Sequence, residues 1–97
     1  HDNVRQADNV VRLGGEEFAF IMPETDLPTA LQACERVRLR LEQYDWATIA
    51  PEKHITISIG LADDSGCANV QELMLRADTR LYIAKRLGKN RVVAVDG

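Results

Sequence analysis

The chain has 97 residues, of which 45% are hydrophobic and 28% charged, so it can form one small folded domain and is too apolar to be a disordered segment. A net charge of -3 gives no reason to expect a broad nucleic-acid or membrane surface, and no apolar run is long enough for a membrane span. Two cysteines and two histidines are scattered along the chain, which argues against a zinc site. We expect Cys34 to be a buried helix residue and Cys67 a loop thiol, as in a reducing, cytoplasmic compartment.

A β-hairpin is predicted near the start of the chain. Val10–Leu13 and Phe18–Met22 are short apolar runs, and the sequence Gly-Gly-Glu-Glu at 14–17 lies between them. Two β-prone runs joined by a glycine turn are typical of a hairpin.

An amphipathic helix is predicted next, ending at about Tyr44. Asp26 can serve as its N-cap, and Pro28 suits the first turn. Apolar residues then recur at spacings of three and four, which predicts one buried helix face: Leu31, Cys34, Val37, Leu41 and Tyr44.

A strand is predicted over Ile55–Ala62, where large and small residues alternate strictly. The large aliphatic side chains should pack on one face, while the other face is approached closely by a neighbouring element. On this interpretation Gly60 meets a packing requirement.

A second helix is predicted to begin after Asn69, with Glu72 as its capping-box partner, and to stop at Gly88. A final strand follows at Arg91–Val95. The order of elements is hairpin, helix, strand, helix, strand, which predicts an α+β fold of the ferredoxin-like sandwich type with an antiparallel-rich sheet. The expected apolar stripe of the second helix is Val70, Leu73, Met74, Ala77, Leu81 and Ala84.

The glycine turn at 14–17 is the feature most suggestive of chemistry. Its glycines let another molecule approach the backbone closely, and Glu16 and Glu17 add two adjacent carboxylates. Such a pair suits Mg²⁺, which favours one or two carboxylates together with phosphate oxygens. Taken alone, the same residues also fit a polar hairpin tip that exposes its charges to water.

Four motifs in order resemble the GGDEF family of diguanylate cyclases. Residues 12–18, Arg-Leu-Gly-Gly-Glu-Glu-Phe, are similar to the family signature in its GGEEF form. Arg5-Gln6-Ala7-Asp8 matches an R-x-x-D motif that ends six residues before the first glycine. The alternating strand at 55–60 and the segment from Ala77 to Asn90, with its A-D-x-x-L-Y-x-A-K-x-x-G-K-N pattern, complete the resemblance.

The resemblance implies an enzyme that condenses two GTP molecules into cyclic di-GMP, releasing pyrophosphate. Glu16 is then a catalytic metal ligand for Mg²⁺, or for Mn²⁺ as an alternative, and Glu17 helps to position nucleotide or metal. Gly14 and Gly15 allow the substrate to approach, while Lys85 and Lys89 reach phosphate oxygens as point charges. Family members often have Arg at the position of Lys89. The lysines also complement the dipole of a helix C-terminus, and Asp78 is interpreted as structural.

The resemblance also implies an inhibitory site for cyclic di-GMP, made by Arg5 and Asp8 with Arg36 from the first helix. Arginine suits the guanine O6/N7 edge, and aspartate suits the N1–H and amino donors. The alternative is an Arg–Asp surface pair that contributes little.

The match corresponds to the C-terminal portion of one GGDEF domain, over residues 1–97. The first strand with its metal-binding Asp and the guanine-reading helix are missing, so we expect the fragment alone to be inactive. In the full-length protein we expect a catalytic homodimer, no nucleic-acid partner, and a sensory or receiver domain upstream, in the cytoplasm or on the cytoplasmic side of a membrane-anchored sensor. Two alternatives stay open: an inactive regulatory module that binds GTP or cyclic di-GMP, and an unrelated ferredoxin-like interaction domain.

Overall fold

The computed structural model describes residues 9–14, 19–22, 25–49 and 55–95, which form strands and helices in an α+β arrangement, as predicted. A short 3-10 helix, Trp46–Thr48, follows the first long helix. The remaining elements, in chain order, are β1 (Asn9–Leu13), β2 (Ala19–Met22), α1 (Leu27–Gln43), β3 (Ile59–Asp63), α2 (Val70–Arg86) and β4 (Val92–Val93).

The described strands form one mixed sheet in the order β2-β1-β3-β4. β1 pairs antiparallel with β2, which confirms the predicted hairpin, and Val10 lies opposite Ile21. β1 also pairs antiparallel with β3, so that Val11 lies opposite Leu61. β4 is parallel to β3 and continues the sheet on the other side.

The two faces of the sheet are covered by different helices. Val11 and Leu61 belong to a core cluster with Ala30 and Cys34 of α1. Val10 is adjacent to Val11 and therefore points to the opposite face, where it packs in a cluster with Ala62, Leu73 and Ala77. The described residues thus place α1 and α2 on opposite sides of one sheet.

Gly60 explains how α2 comes so close to β3. A Cβ built on Gly60 would lie 2.2 Å from the backbone O of Ala77 and 2.3 Å from the backbone N of Leu81. These contacts are with the helix backbone, which has no flexible end to move aside. The geometry therefore confirms that the packing of α2 on β3 requires a glycine at position 60.

Two predicted strands are shorter in the structure. The strand expected at 55–62 begins only at Ile59, because β1 ends at Leu13, which is the partner of Ile59. The strand expected at 91–95 is reduced to Val92–Val93, because it pairs only with the first two residues of β3. Residues 55–58 keep the alternation of large and small side chains, but they are not part of a strand.

The predicted buried face of α1 is only partly buried. Ala30 and Cys34 are its buried residues, whereas Val37 is 50% exposed and Tyr44 51% exposed among the described residues. The stripe of α2 was predicted better, because Leu73, Ala77, Leu81 and Ala84 are all buried.

The N-caps of both helices are the predicted residues. The side chain of Asp26 accepts a hydrogen bond from the backbone N–H of Thr29 at 2.8 Å. Hydrogen bonding from the Thr29 side chain, together with this backbone bond, lowers the pKa of Asp26. Asn69 accepts from the backbone N of Glu72 at 2.9 Å, while Glu72 accepts from the N–H of Ala68, one residue before the cap. Within the described ranges, neither helix combines the length and the apolar character that crossing a bilayer requires.

Candidate functional site

A cavity of about 340 Å³ lies at the end of the sheet where β1 leads into the acidic hairpin turn. Its walls come from the last described residue of the β1 segment, from the segment before β3, and from the C-terminal end of α2 with the loop that follows. The lining residues are Gly14, Thr56, Ile57, Ser58, Lys85 and Lys89. The volume is near the lower end of the range for small-molecule sites, so it suits part of a nucleotide better than a whole one.

Gly14 gives the cavity its shape on the β1 side. A Cβ on Gly14 would lie 3.0 Å from Cε of Lys85 and 3.4 Å from Cδ1 of Leu81. The aliphatic part of Lys85 therefore passes over a backbone that has no side chain. A Cβ at position 14 would require the Lys85 side chain to shift by a few tenths of an ångström.

Ser58 joins the two sides of the cavity. Its backbone carbonyl accepts a 2.9 Å hydrogen bond from the N–H of Gly14. Its hydroxyl oxygen accepts a 3.1 Å bond from the N–H of Asn90. Ser58 is buried, so both bonds are shielded from water. One residue thus fixes the entry to the acidic turn and the loop that carries Lys89.

The electrostatic character of the cavity comes from Lys85 and Lys89, which are exposed at its mouth. Two ammonium groups on one wall suit an anion such as a phosphate chain. Their position at the end of α2 also complements the helix dipole. Nearby, Nε of Arg12 lies 2.7 Å from Oδ1 of Asp78, so Asp78 is an ion-pair partner, in line with its structural interpretation.

The structure brings together some of the predicted site residues. Gly14, Lys85 and Lys89 line the same cavity although Gly14 is 71 and 75 positions away from the two lysines. Arg36 is exposed on α1 and does not line it. The other predicted site residues lie outside the described residues: Arg5, Asp8, Gly15, Glu16 and Glu17.

Sequence reasoning assigned no site role to Ser58 or Asn90. Ser58 was interpreted only as part of the small face of a strand. The signal for Asn90 was its place in Gly88-Lys89-Asn90, since asparagine tolerates the left-handed backbone found there, with φ of 48°. Their contact joins segments 32 positions apart and has no local sequence signature.

Comparison with known proteins agrees with the motifs. The family model described as "Diguanylate cyclase, GGDEF domain" matches residues 1–91. The chain is 41% identical over 90 residues to the diguanylate cyclase DgcM of Escherichia coli K12, covering 93% of this chain and 21% of that protein. It is 42% identical over 95 residues to the response regulator PleD of Caulobacter vibrioides, covering 94% of this chain and 21% of that protein. The chain therefore spans about a fifth of the length of these relatives.

Solved structures show the same fold. The active GGEEF domain of a diguanylate cyclase from Vibrio cholerae matches with a TM-score of 0.75 and 29% identity, over 87% of this chain and 53% of that one. The GGDEF domain of DgcB from Caulobacter crescentus, in complex with cyclic di-GMP, matches with a TM-score of 0.72 and 33% identity, over 84% of this chain and 48% of that one. Over the described residues, the four-stranded mixed sheet with two long helices is a truncated form of the GGDEF domain fold. By sequence and by structure, the chain belongs to the GGDEF domain family of diguanylate cyclases.

Proposed function

We propose that the protein containing this chain is a diguanylate cyclase, which condenses two GTP molecules into cyclic di-GMP. In each condensation the 3′-hydroxyl of one GTP attacks the α-phosphorus of the other, the bond to the β-phosphate oxygen breaks, and pyrophosphate leaves. Two such steps close the ring and release two pyrophosphates. Family membership and relatives about 40% identical to the chain support this proposal.

The observation that carries the proposal is the cavity beside Gly14. Lys85 and Lys89 line it from α2 and its following loop, and the chain continues from Gly14 directly into the acidic turn. A polyphosphate in this cavity would contact two cations, and Glu16 and Glu17 follow Gly14 closely in the sequence. During the attack, negative charge builds up on the phosphate oxygens and the departing pyrophosphate, so fixed ammonium groups stabilise the transition state.

A divalent metal is the proposed cofactor, since diguanylate cyclases of this family generally use one. Among the described residues, no group of three or more His, Cys, Asp or Glu side chains could hold a metal ion. Glu16 and Glu17 follow Gly14 by two and three positions and offer the carboxylate oxygens that Mg²⁺ prefers, or Mn²⁺ in its place. When bound, the metal would lower the pKa of the 3′-hydroxyl and neutralise negative charge on the departing oxygen.

A homodimer is proposed for catalysis, because each domain presents one GTP and the reaction joins two.

Cyclic di-GMP is also the proposed inhibitor, held by Arg5, Asp8 and Arg36; the DgcB structure contains cyclic di-GMP. Labelled cyclic di-GMP should then bind the intact protein and bind less tightly to the Arg5→Ala variant. Unchanged affinity would remove Arg5 from the site.

The proposed activity places the protein in the cytoplasm or on the cytoplasmic side of a membrane-anchored sensor, where GTP is available. We further propose that residues 1–97 are the C-terminal portion of the domain, with a sensory or receiver domain upstream. The isolated 97-residue chain should therefore make no cyclic di-GMP from GTP and Mg²⁺. Clear product formation by this chain would contradict that statement.

The test of the proposed function is product formation by the intact protein. Purified wild-type protein with GTP and Mg²⁺ should yield cyclic di-GMP and two pyrophosphates per product molecule, measured by chromatography and a phosphate assay. The Glu16→Ala variant should lose at least about a hundredfold in rate, a typical loss for catalytic electrostatics. Binding of GTP or of cyclic di-GMP without turnover would instead indicate the regulatory module, and binding of neither nucleotide would overturn both.

A further inference from the structure

The loop after α2 has an unusual backbone at the point where it carries Lys89. Lys89 has φ of 65° and the next residue, Asn90, has φ of 48°, so two consecutive non-glycine residues occupy the left-handed region. Such residues are uncommon and persist where the surrounding structure holds them. The contacts of Asn90 show what holds this pair.

Asn90 is bonded to two other parts of the fold. Its Oδ1 accepts a 3.0 Å hydrogen bond from Nη1 of Arg38, and its Nδ2 donates a 2.6 Å bond to Oε2 of Glu42. Its backbone N–H donates to the hydroxyl of Ser58 at 3.1 Å. Asn90 therefore ties the loop to α1 on one side and to the cavity wall on the other.

The backbone of Lys89 is fixed on both sides as well. Its N–H donates a 2.9 Å hydrogen bond to the carbonyl of Ala84, and its own carbonyl accepts a 3.0 Å bond from Nε of Arg91. With both peptide groups held, the direction of the Cα–Cβ bond is set. A lysine side chain has several free rotations, so fixing its base removes part of the ordering cost of placing the ammonium.

We propose that Asn90 is a positioning residue for Lys89. It holds the left-handed pair that directs the lysine into the cavity, and Arg38 and Glu42 of α1 hold Asn90 in turn. The inference rests on the proposed function, because the ligand of Lys89 is the phosphate chain of GTP. It makes α1 part of the phosphate site although α1 contributes no residue to the cavity lining.

A purely structural role for the network predicts a different result. If Asn90 only stabilised the fold, its loss would lower the unfolding temperature and leave the affinity for phosphate groups unchanged in the folded protein. If it positions Lys89, its loss would weaken phosphate binding, and only while Lys89 is present. A double-mutant cycle distinguishes the two roles.

The main variant is Asn90→Gly in the intact protein, since glycine accepts a positive φ but lacks the side-chain bonds. We expect the KM for GTP and the inhibition constant of inorganic pyrophosphate to rise about tenfold, which corresponds to 1.4 kcal/mol. In the Lys89→Ala background the same change should have no further effect. The matched control is Asn69→Ala, which removes an asparagine contact at the other end of α2 and should leave both constants unchanged.

Glu42→Ala provides a second test that does not alter the loop itself. It removes the acceptor of the Asn90 amide from α1, so both constants should rise about threefold, or 0.65 kcal/mol, again only while Lys89 is present. Glu42→Gln keeps an oxygen acceptor and should restore wild-type values. If Asn90→Gly does not fold, the Glu42 pair decides the question.

Wild-type constants in Asn90→Gly, or an equal rise in the presence and absence of Lys89, would overturn the inference while the wild-type protein still makes cyclic di-GMP. A wild-type protein that neither binds GTP nor makes product would overturn the proposed function, and the inference with it. The two failures are therefore distinguishable in one set of assays.

Discussion

The two long helices have the same length of 17 residues and an amphipathic pattern, yet they pack on the sheet very differently. α2 buries five residues, including Arg80, whose Nη1 donates to the carbonyl of Leu61 at 2.9 Å. α1 buries only Ala30 and Cys34. An apolar groove of about 310 Å³ remains between α1 and the sheet, with Val37 on its border.

The difference shows that helix pattern alone does not decide how closely a helix packs. β3 presents Gly60 and Ala62 to α2, and these small residues let the helix backbone approach the strand. The same strand presents Ile59 and Leu61 to α1, and such large side chains keep the helix axis farther away. We conclude that α2 is the firmly placed element, which suits it to carry Lys85.

Replacing Gly60 by Ala should be the most damaging change to this arrangement. The new methyl would lie 2.2 Å from a backbone oxygen of α2, so the helix must shift or the strand must bend. We expect the free energy of unfolding to fall by about 3 kcal/mol or more, measured by chemical denaturation of the intact protein. Near wild-type stability would mean that α2 does not lie directly on β3.

Truncating one apolar residue on each helix compares their packing directly. Leu73 of α2 is 1% exposed, so Leu73→Ala should cost about 3 kcal/mol. Val37 of α1 is 50% exposed, so Val37→Ala should cost about 0.5 kcal/mol or less. Both values come from the same denaturation experiment. Equal costs would contradict the comparison and would show that the groove beside Val37 is covered in the intact protein.

The thiols provide a smaller test of the α1 side. Burial raises the pKa of Cys34 to about 11, and the charge of Glu35 adds to this shift. Burial also raises the pKa of Cys67, whose position in a loop leaves it partly exposed. At pH 8 an alkylating reagent should modify Cys67 before Cys34, as read by peptide mass mapping, because only the thiolate reacts. Faster modification of Cys34 would mean that α1 opens easily.

The raised pKa of Cys34 also predicts how the stability of the fold changes with pH. In the folded state this thiol stays protonated above its ordinary pKa of 9.0. Its contribution to the free energy of unfolding is therefore complete below pH 9.0 and is lost as the pH rises towards about 11. Cys34→Ala should remove this part of the alkaline loss of stability. Burial favours the neutral thiol over the charged thiolate, so the folded state loses stability as the pH rises.

Local signals predicted much of the fold. The starts of both helices followed from capping residues, since Asp26 and Asn69 bond to the backbone three positions later. The second helix ends at Arg86, two residues before the predicted stop at Gly88. The strand at 55–62 was predicted four residues too long at its start, because alternation reports side-chain size and not the length of the partner strand. The exposure of Val37 depends on how far α1 stands from the sheet, which no local pattern states.

The residues that line the candidate cavity were predictable where a motif named them and hidden where they depend on distant contacts. The motifs predicted Gly14, Lys85 and Lys89 as site residues, and the structure places all three in one cavity. The links through Ser58, Asn90 and Glu42 join positions 32 to 48 residues apart. Such contacts follow from the way the sheet and helices assemble, so the sequence of any one segment does not reveal them.

The claim that the cavity beside Gly14 holds the phosphates of GTP is tested most directly by two neighbouring cations of α2. Lys85 lines the cavity, whereas Arg86 lies over the ring of Tyr82, with its guanidinium carbon 5.8 Å from the ring centroid. In the intact protein, Lys85→Ala should raise the KM for GTP at least about tenfold, while Arg86→Ala, which removes the same charge, should change it by less than about twofold. Equal effects of the two substitutions would contradict the assignment of the cavity.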